Sequence, residues 1–134
     1  MMLGAFFALM QAISAQVTVP SSVNTTFSTT YPGAQAVNWT LDNGNYRGEF
    51  TGTDNMRTSV TYNGTGQLMQ TEIDIHDIDL PPTARQSLNG TQVNRYTRIT
   101  DAKGVVTYST TIDNKRTVYD AQGNLVSMPK QGGN

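Results

Sequence analysis

A stretch that ends a strand, turns and opens the next strand occurs twice in this chain, 57 positions apart. Tyr62-Asn63-Gly64-Thr65-Gly66-Gln67-Leu68 is answered by Tyr119-Asp120-Ala121-Gln122-Gly123-Asn124-Leu125. The same offset carries Val23 onto Leu80, Tyr31 onto Leu88, Gly33 onto Gly90, Trp39 onto Tyr96 and Thr40 onto Thr97. An offset shared over most of a chain marks internal duplication, and it restricts the available folds more than composition does. The chain has 134 residues, so two halves of under about 60 residues would each be marginal alone. They are therefore expected to share one core.

Local patterns then set the element order. Val23, Phe27 and Tyr31 recur every four residues and give a first helix one apolar stripe. Ser21 or Ser22 is placed to cap it, and Pro32-Gly33 to end it. Its many threonines are poor helix formers, so packing must hold it. Four strands follow, on the alternations Val37/Trp39/Leu41, Tyr46/Gly48/Phe50, Met56/Thr58/Val60/Tyr62 and Met69/Thr71/Ile73/Ile75. Leu68 is out of phase, which predicts a bulge near Gln67. Leu80, Ala84 and Leu88 mark a second helix opened by Pro81-Pro82, and 92–100, 104–112, 115–119 and 125–128 read as four more strands. The expected fold is α+β: tandem helix-plus-four-strand repeats forming an antiparallel sheet with both helices on one face. The other face would be rich in Thr, Arg and Tyr and open to solvent.

The amino terminus has a different character. Met1 to Met10 is almost wholly apolar and small residues follow to Ala15, the signature of a secretory signal over 1–15. No Lys or Arg precedes the apolar run, so the leader reads as abbreviated. The expected domain is 16–129, with repeats at about 19–79 and 80–128 and a flexible tail at 130–134. No stable membrane span is expected once the leader is cleaved.

Formal net charge is −1, which gives no drive toward nucleic acid. That sum hides an asymmetry. From Gln16 to Asp79 there are two arginines against seven acids, or −5; from Leu80 onward there are seven bases against three acids, or +4. Halves of opposite sign should attract one another within the molecule. The absence of cysteine excludes disulfides, thiol nucleophiles and Cys-ligated zinc.

Pro20, Phe27, Tyr31-Pro32-Gly33-Ala34, Trp39, Tyr46, Phe50, the Gly66 turn and Leu80-Pro81 stand in the order and spacing of a known family. Across about 19–128 the chain resembles the PepSY-like secreted proteins of Bacteroidetes-type bacteria, which are related in fold to the β-lactamase-inhibitor protein (BLIP). The resemblance implies a duplicated helix-plus-four-strand sheet, export across the inner membrane and a non-enzymatic binding or inhibitory role. It supplies no catalytic residues. The short leader, and Tyr96 where the first half has Trp39, depart from the family pattern.

Candidate chemistry is sparse. His76 is the only histidine, and no Gly-x-Ser-x-Gly turn exposes a serine, so no catalytic residue is assigned and the chain is read as not an enzyme. No phosphate-binding glycine loop opens a helix, and no cofactor is expected. Tyr108 and Tyr96, with Arg95 and Arg98, are the candidates for a protein-binding surface, because Tyr and Arg dominate hot spots. Trp39, Tyr62 and Tyr119 are expected in the core. The alternative site is the acidic stretch 72–79, where Glu72, Asp74, His76 and Asp77 offer oxygen and imidazole ligands to a divalent cation or small ligand. The reading is a periplasmic or secreted binding module whose partner is an envelope or extracellular protein, with no nucleic acid involved.

Overall fold

The structure is a computed structural model and describes residues 17–127. The leader assigned to 1–15, Met128 and the tail at 130–134 lie outside the described residues. Helix α1 (Ser21–Thr30) leads into strands β1 (Asn38–Asp42), β2 (Asn45–Thr51), β3 (Arg57–Tyr62) and β4 (Leu68–Ile75). A 3-10 turn (Asp77–Asp79) and the short helix α2 (Pro82–Ser87) precede β5 (Arg95–Asp101), β6 (Val106–Ile112), β7 (Lys115–Tyr119) and β8 (Leu125–Ser127). All eight strands form one antiparallel sheet in sequence order. The α+β class and the antiparallel sheet match the expectation. β4 and β5 are the central neighbours, paired from Gln70↔Asp101 to Ile75↔Tyr96.

Alternation divides the side chains between two faces. The register puts Trp39, Gly48, Val60, Thr71, Thr100 and Val106 in one row on one face. Helix α1 covers part of that face. Val23 and Phe27 are buried in a cluster with Phe50, Val60 and Tyr62. The Phe27 ring meets Trp39 and Phe50 edge-on, with centroids 5.2 and 5.4 Å apart, an arrangement ring quadrupoles favour. Helix α2 lies on the same face: Leu80, Leu88 and Tyr96 line a common hollow, and Tyr96 is four residues before Thr100 on β5. Leu80 and Ala84 are buried beneath this helix.

The first helix is held differently from expectation. Neither Ser21 nor Ser22 caps it; Pro20 occupies the cap position without a side-chain bond. Ser22 Oγ instead donates to the Gly64 carbonyl at 3.0 Å, tying the helix start to the β3–β4 turn. Thr26, Thr29 and Thr30 donate to the carbonyls four residues back, which satisfies their hydroxyls inside a helix they disfavour. Pro82 stands in the first turn of α2, where its missing N–H costs nothing. That helix stops at Ser87, so Leu88 acts as its C-cap rather than as a third stripe position.

The turns explain the glycines. Asn63, Asp101 and Asp120 each accept backbone N–H groups two and four residues on through one side-chain oxygen. Each is followed three residues later by a glycine with φ of +85 to +90°, a region that side chains with a Cβ avoid. These bonds from Asn124 and Gln122 hold the Asp120 carboxyl below the usual carboxylate range. Two of the glycines also meet a helix. A Cβ on Gly66 would stand 2.7 Å from the Ser22 carbonyl oxygen, and one on Gly123 would stand 2.8 Å from the Ala84 nitrogen. The register slips at β3–β4 beside Tyr62 and at β7–β8 beside Tyr119. These slips put Met69 and Val126 at bulges, 57 positions apart and close to the predicted Gln67.

Two predictions follow from this packing. Gly66→Ala should cost about 2 kcal/mol or more, combining a left-handed φ with a backbone clash. Gly64→Ala, with nothing within 4 Å of its Cβ, should change stability by less than about 0.5 kcal/mol; urea midpoints compare the two. The second concerns Tyr62, whose phenol is pushed up to about 12 by burial and by Tyr31 nearby. Below the ordinary phenol value near 10 both states are protonated. Above it the unfolded chain ionises while folded Tyr62 does not, so stability should fall as pH rises from about 10 toward 12. Tyr62→Phe should flatten that decline in urea titrations across the same range.

Candidate functional site

The face turned away from the helices is polar, and none of the described residues forms a layer over it. Its floor is nonetheless buried: Ser109 is 0% exposed, Ser59 and Thr97 4%, and Glu72 9%. Long side chains lying across the sheet provide the cover. Arg47 reaches over β3, donating to Ser59 Oγ at 3.1 Å and standing 3.6 Å from Glu72. Arg116 reaches from the opposite side, donating to Ser109 Oγ at 3.1 Å and to Glu72 Oε1 at 3.2 Å. Gln70 donates to the other Glu72 oxygen at 2.6 Å.

The Arg116–Glu72 contact also reports the shape of the sheet. Arg116 is in register with Thr111 and Arg95, which places it three strands and four residues from Glu72. On a flat sheet the two Cα atoms would stand about 19 Å apart, more than the roughly 15 Å spanned by two extended side chains and a hydrogen bond. The sheet therefore twists and curls toward this face, which is concave.

Two further pairs flank the centre. Arg57 is bound to Glu49, with Nε 2.7 Å from the carboxylate, and Arg95 stands 3.6 Å from Asp74, which also accepts from Thr97. In all four pairs the arginine is the more exposed partner: Arg57, Arg95 and Arg116 side chains are 43–44% exposed and Arg47 27%, against 27, 25 and 10% for Glu49, Asp74 and Glu72. An incoming molecule meets guanidinium groups rather than carboxylates.

The sequence-derived site residues separate on this geometry. Arg95 lies on the open face. Tyr96, being its neighbour along β5, must point the other way, and Arg98 and Tyr108 pair with one another on the helix-bearing side. The expected open surface of Tyr96, Arg98 and Tyr108 is therefore corrected: these three share the face that carries the helices, and the open face holds Arg and Thr but not these tyrosines. Glu72 and Asp74 lie on the open face, but their oxygens are engaged by Arg47, Arg116, Gln70, Arg95 and Thr97. His76 and Asp77 fall beyond the end of β4, where the His76 N–H donates to Asp79. Among the described residues no three His, Asp or Glu side chains converge as a metal site, so Glu72, Asp74, His76 and Asp77 do not assemble into one. Arg47, Arg57 and Arg116 were missed from sequence; their alternation with Glu49, Ser59 and Val118 was the available signal.

This architecture, a concave antiparallel sheet backed by two helices, is BLIP-like. The chain is similar to a BLIP-like protein from Bacteroides fragilis, with a TM-score of 0.68 and 16% identity over 86% of this chain and 88% of that one. It is also similar to a DUF2874 family protein from Bacteroides ovatus, with a TM-score of 0.68 and 27% identity over 84% and 87% of the two chains. A third neighbour, from Bacteroides eggerthii and provisionally described as periplasmic, has a TM-score of 0.70 and 15% identity over 83% and 88%. No protein-family model matches the chain, and no curated protein does. Among the described residues no helix is long and apolar enough to cross a membrane.

The ion pairs should differ in worth. Arg116→Ala should cost less than about 1 kcal/mol, because Arg116 is half exposed and Arg47 still faces Glu72. Glu72→Leu should cost about 1–3 kcal/mol, since it leaves two guanidiniums without their shared acceptor. Urea denaturation of both variants checks the order.

Proposed function

We propose that the chain is a periplasmic or secreted, non-enzymatic module that holds a protein partner against the concave face of its sheet. One observation carries the reading: a face that no described residue layers over has a buried polar floor and walls of arginines already held by ion pairs. Fixed side chains lose little entropy when a partner arrives, and arginine is enriched among residues that dominate binding. Because the guanidiniums of Arg57, Arg95 and Arg116 stand outward of their carboxylates, the partner is an envelope or extracellular protein presenting an acidic, carbonyl-rich loop. Such a loop would be occluded once bound, which is the inhibitory form of the proposal. The likeness in fold to the BLIP-like protein of Bacteroides fragilis supports binding as the role. The apolar leader and the neighbour described as periplasmic support export.

The two halves are further proposed to be copies of one helix-plus-four-strand unit, the arrangement of the PepSY-like proteins. Paired bulges at Met69 and Val126 and glycine turns pressed against each helix support it. No observation favours the divalent-metal or small-ligand reading of 72–79, since Glu72 and Asp74 are already held by arginines.

Charge reversal of the rim tests the docking proposal. Tagged wild-type protein, the Arg57→Glu/Arg95→Glu double variant and an Arg85→Glu control on α2 would be used for capture from envelope extract, with folding checked by circular dichroism. A partner held by wild type and by the control, released by salt and lost from the rim variant, is the expected result. Equal recovery by all three proteins would overturn the assignment of this face.

A further inference from the structure

Six arginines lie in the described chain outside the leader and tail, and four of them pair with carboxylates on the concave face. Arg85 is exposed on α2. Arg98 is different. It is half buried on the helix-bearing face, in the row Phe50–Thr58–Ile73–Arg98–Tyr108, and among the described residues it makes neither an ion pair nor a side-chain hydrogen bond. It lines a hollow of about 610 Å³ between the end of α1 and the sheet, within the size range of small-molecule sites. Tyr31, Ala34, Phe50 and Ile73 supply apolar wall, and Thr58 supplies a hydroxyl. Asp54 also lines the hollow, but its Oδ1 accepts from the Met56 amide in its own turn.

We propose that this hollow binds a small aromatic carboxylate, with the carboxylate on the Arg98 guanidinium and the ring against Tyr31 and Phe50. A guanidinium without an acceptor in a partly desolvated site gains most from a bidentate carboxylate. The Tyr31 and Phe50 rings, 5.0 Å apart by centroid and steeply inclined to one another, are backed by Phe27, which packs against both, and both line the hollow, where a bound ring can meet them edge-on or offset. Beside Arg98 the polar groups of the wall are the hydroxyls of Thr30, Thr51, Thr53, Thr58 and Tyr31 and the Asp54 carboxylate, which disfavours the doubly charged phosphate of an ester more than a singly charged carboxylate. The hollow is on the opposite side of the sheet from the concave face, so it stands or falls independently of protein docking there.

The test uses 3-phenylpropionate as probe and 3-phenylpropanamide as its neutral counterpart, added to the full chain and followed by two-dimensional NMR and calorimetry. The carboxylate should bind saturably, shifting the Arg98 Nε–H and the backbone amides of Thr30–Ala34 and Ile73, while the amide binds at least tenfold more weakly. Arg98→Lys should weaken the carboxylate about tenfold by losing bidentate geometry, and Arg98→Met should abolish its advantage over the amide. If Arg98→Met does not fold, the Arg98 Nε–H shift in the wild-type protein decides alone. No saturable binding at millimolar probe, equal binding of acid and amide, or shifts confined to Arg47, Arg95 and Arg116 would each overturn the proposal.

Discussion

The two short helices among the described residues can cover only one face of an eight-stranded sheet. At about 1.5 Å per residue, α1 is roughly 15 Å long and α2 about 9 Å, whereas eight strands at about 4.8 Å span more than 30 Å. All the large apolar side chains that can be buried must therefore gather on the side of the helices. The other side has to satisfy its polar groups within its own layer. This explains why Val23, Phe27, Phe50, Val60 and Tyr62 form the core while Ser59, Glu72, Thr97 and Ser109 are buried opposite them. It also explains Gly48. A Cβ there would lie 2.9 Å from the Trp39 ring, so the glycine lets the largest side chain in the molecule lie over the sheet beside Phe27 of α1.

A buried carboxylate on an uncovered face would be expensive if left alone. Glu72 is tolerable because two guanidiniums and a carboxamide reach it while remaining partly in water. Curvature and electrostatics are coupled here: the sheet must curl for Arg116 to arrive, and Arg116 in turn roofs Ser109. A face organised in this way already holds its arginines against carboxylates before any partner meets it. Its exposed groups are donors whose own charge is only partly quenched, which makes it selective for acceptors and sensitive to salt.

Much of this was legible in the sequence because the signals were local. Asn43-Gly44, with φ of 53 and 82°, is the two-residue turn its composition announces, and the Asn63 and Asp120 turns sit where the offset of 57 places them. The second strand of each half was not matched by that offset, for a definite reason. Tyr46 pairs with Tyr62, and Tyr108 pairs with Tyr119, so Tyr46 and Tyr108 hold like places in the register although they are 62 positions apart. The halves exchange turn types. Five residues separate Thr100 from its partner Val106 where two separate Asp42 from Asn45, and the next hairpin reverses the difference, with two residues between Ile112 and Lys115 where five lie between Thr51 and Arg57. The site was harder to read. Arg95 and Tyr96 are adjacent and so cannot share a face, and the length of reach that brings Arg116 to Glu72 depends on a curl that no local pattern encodes.

The opposite charges of the two halves find their use in the same geometry. Of the four ion pairs on the concave face, Arg116–Glu72 and Arg95–Asp74 join a base from the second half to an acid from the first. Both cross the seam where β4 meets β5. That seam joins two units, each a helix followed by four strands with its own turn-to-helix contact. Placing acids on β4 and bases on β5 and β7 gives the seam an attraction that neither unit would feel toward a second copy of itself. The asymmetry of −5 against +4 thus favours closure within one molecule over head-to-tail association between molecules, because the complementary charges already face each other across hydrogen-bonded neighbours. Arg98 lies on the same seam strand, but on the helix-bearing side, where among the described residues no acid pairs with it.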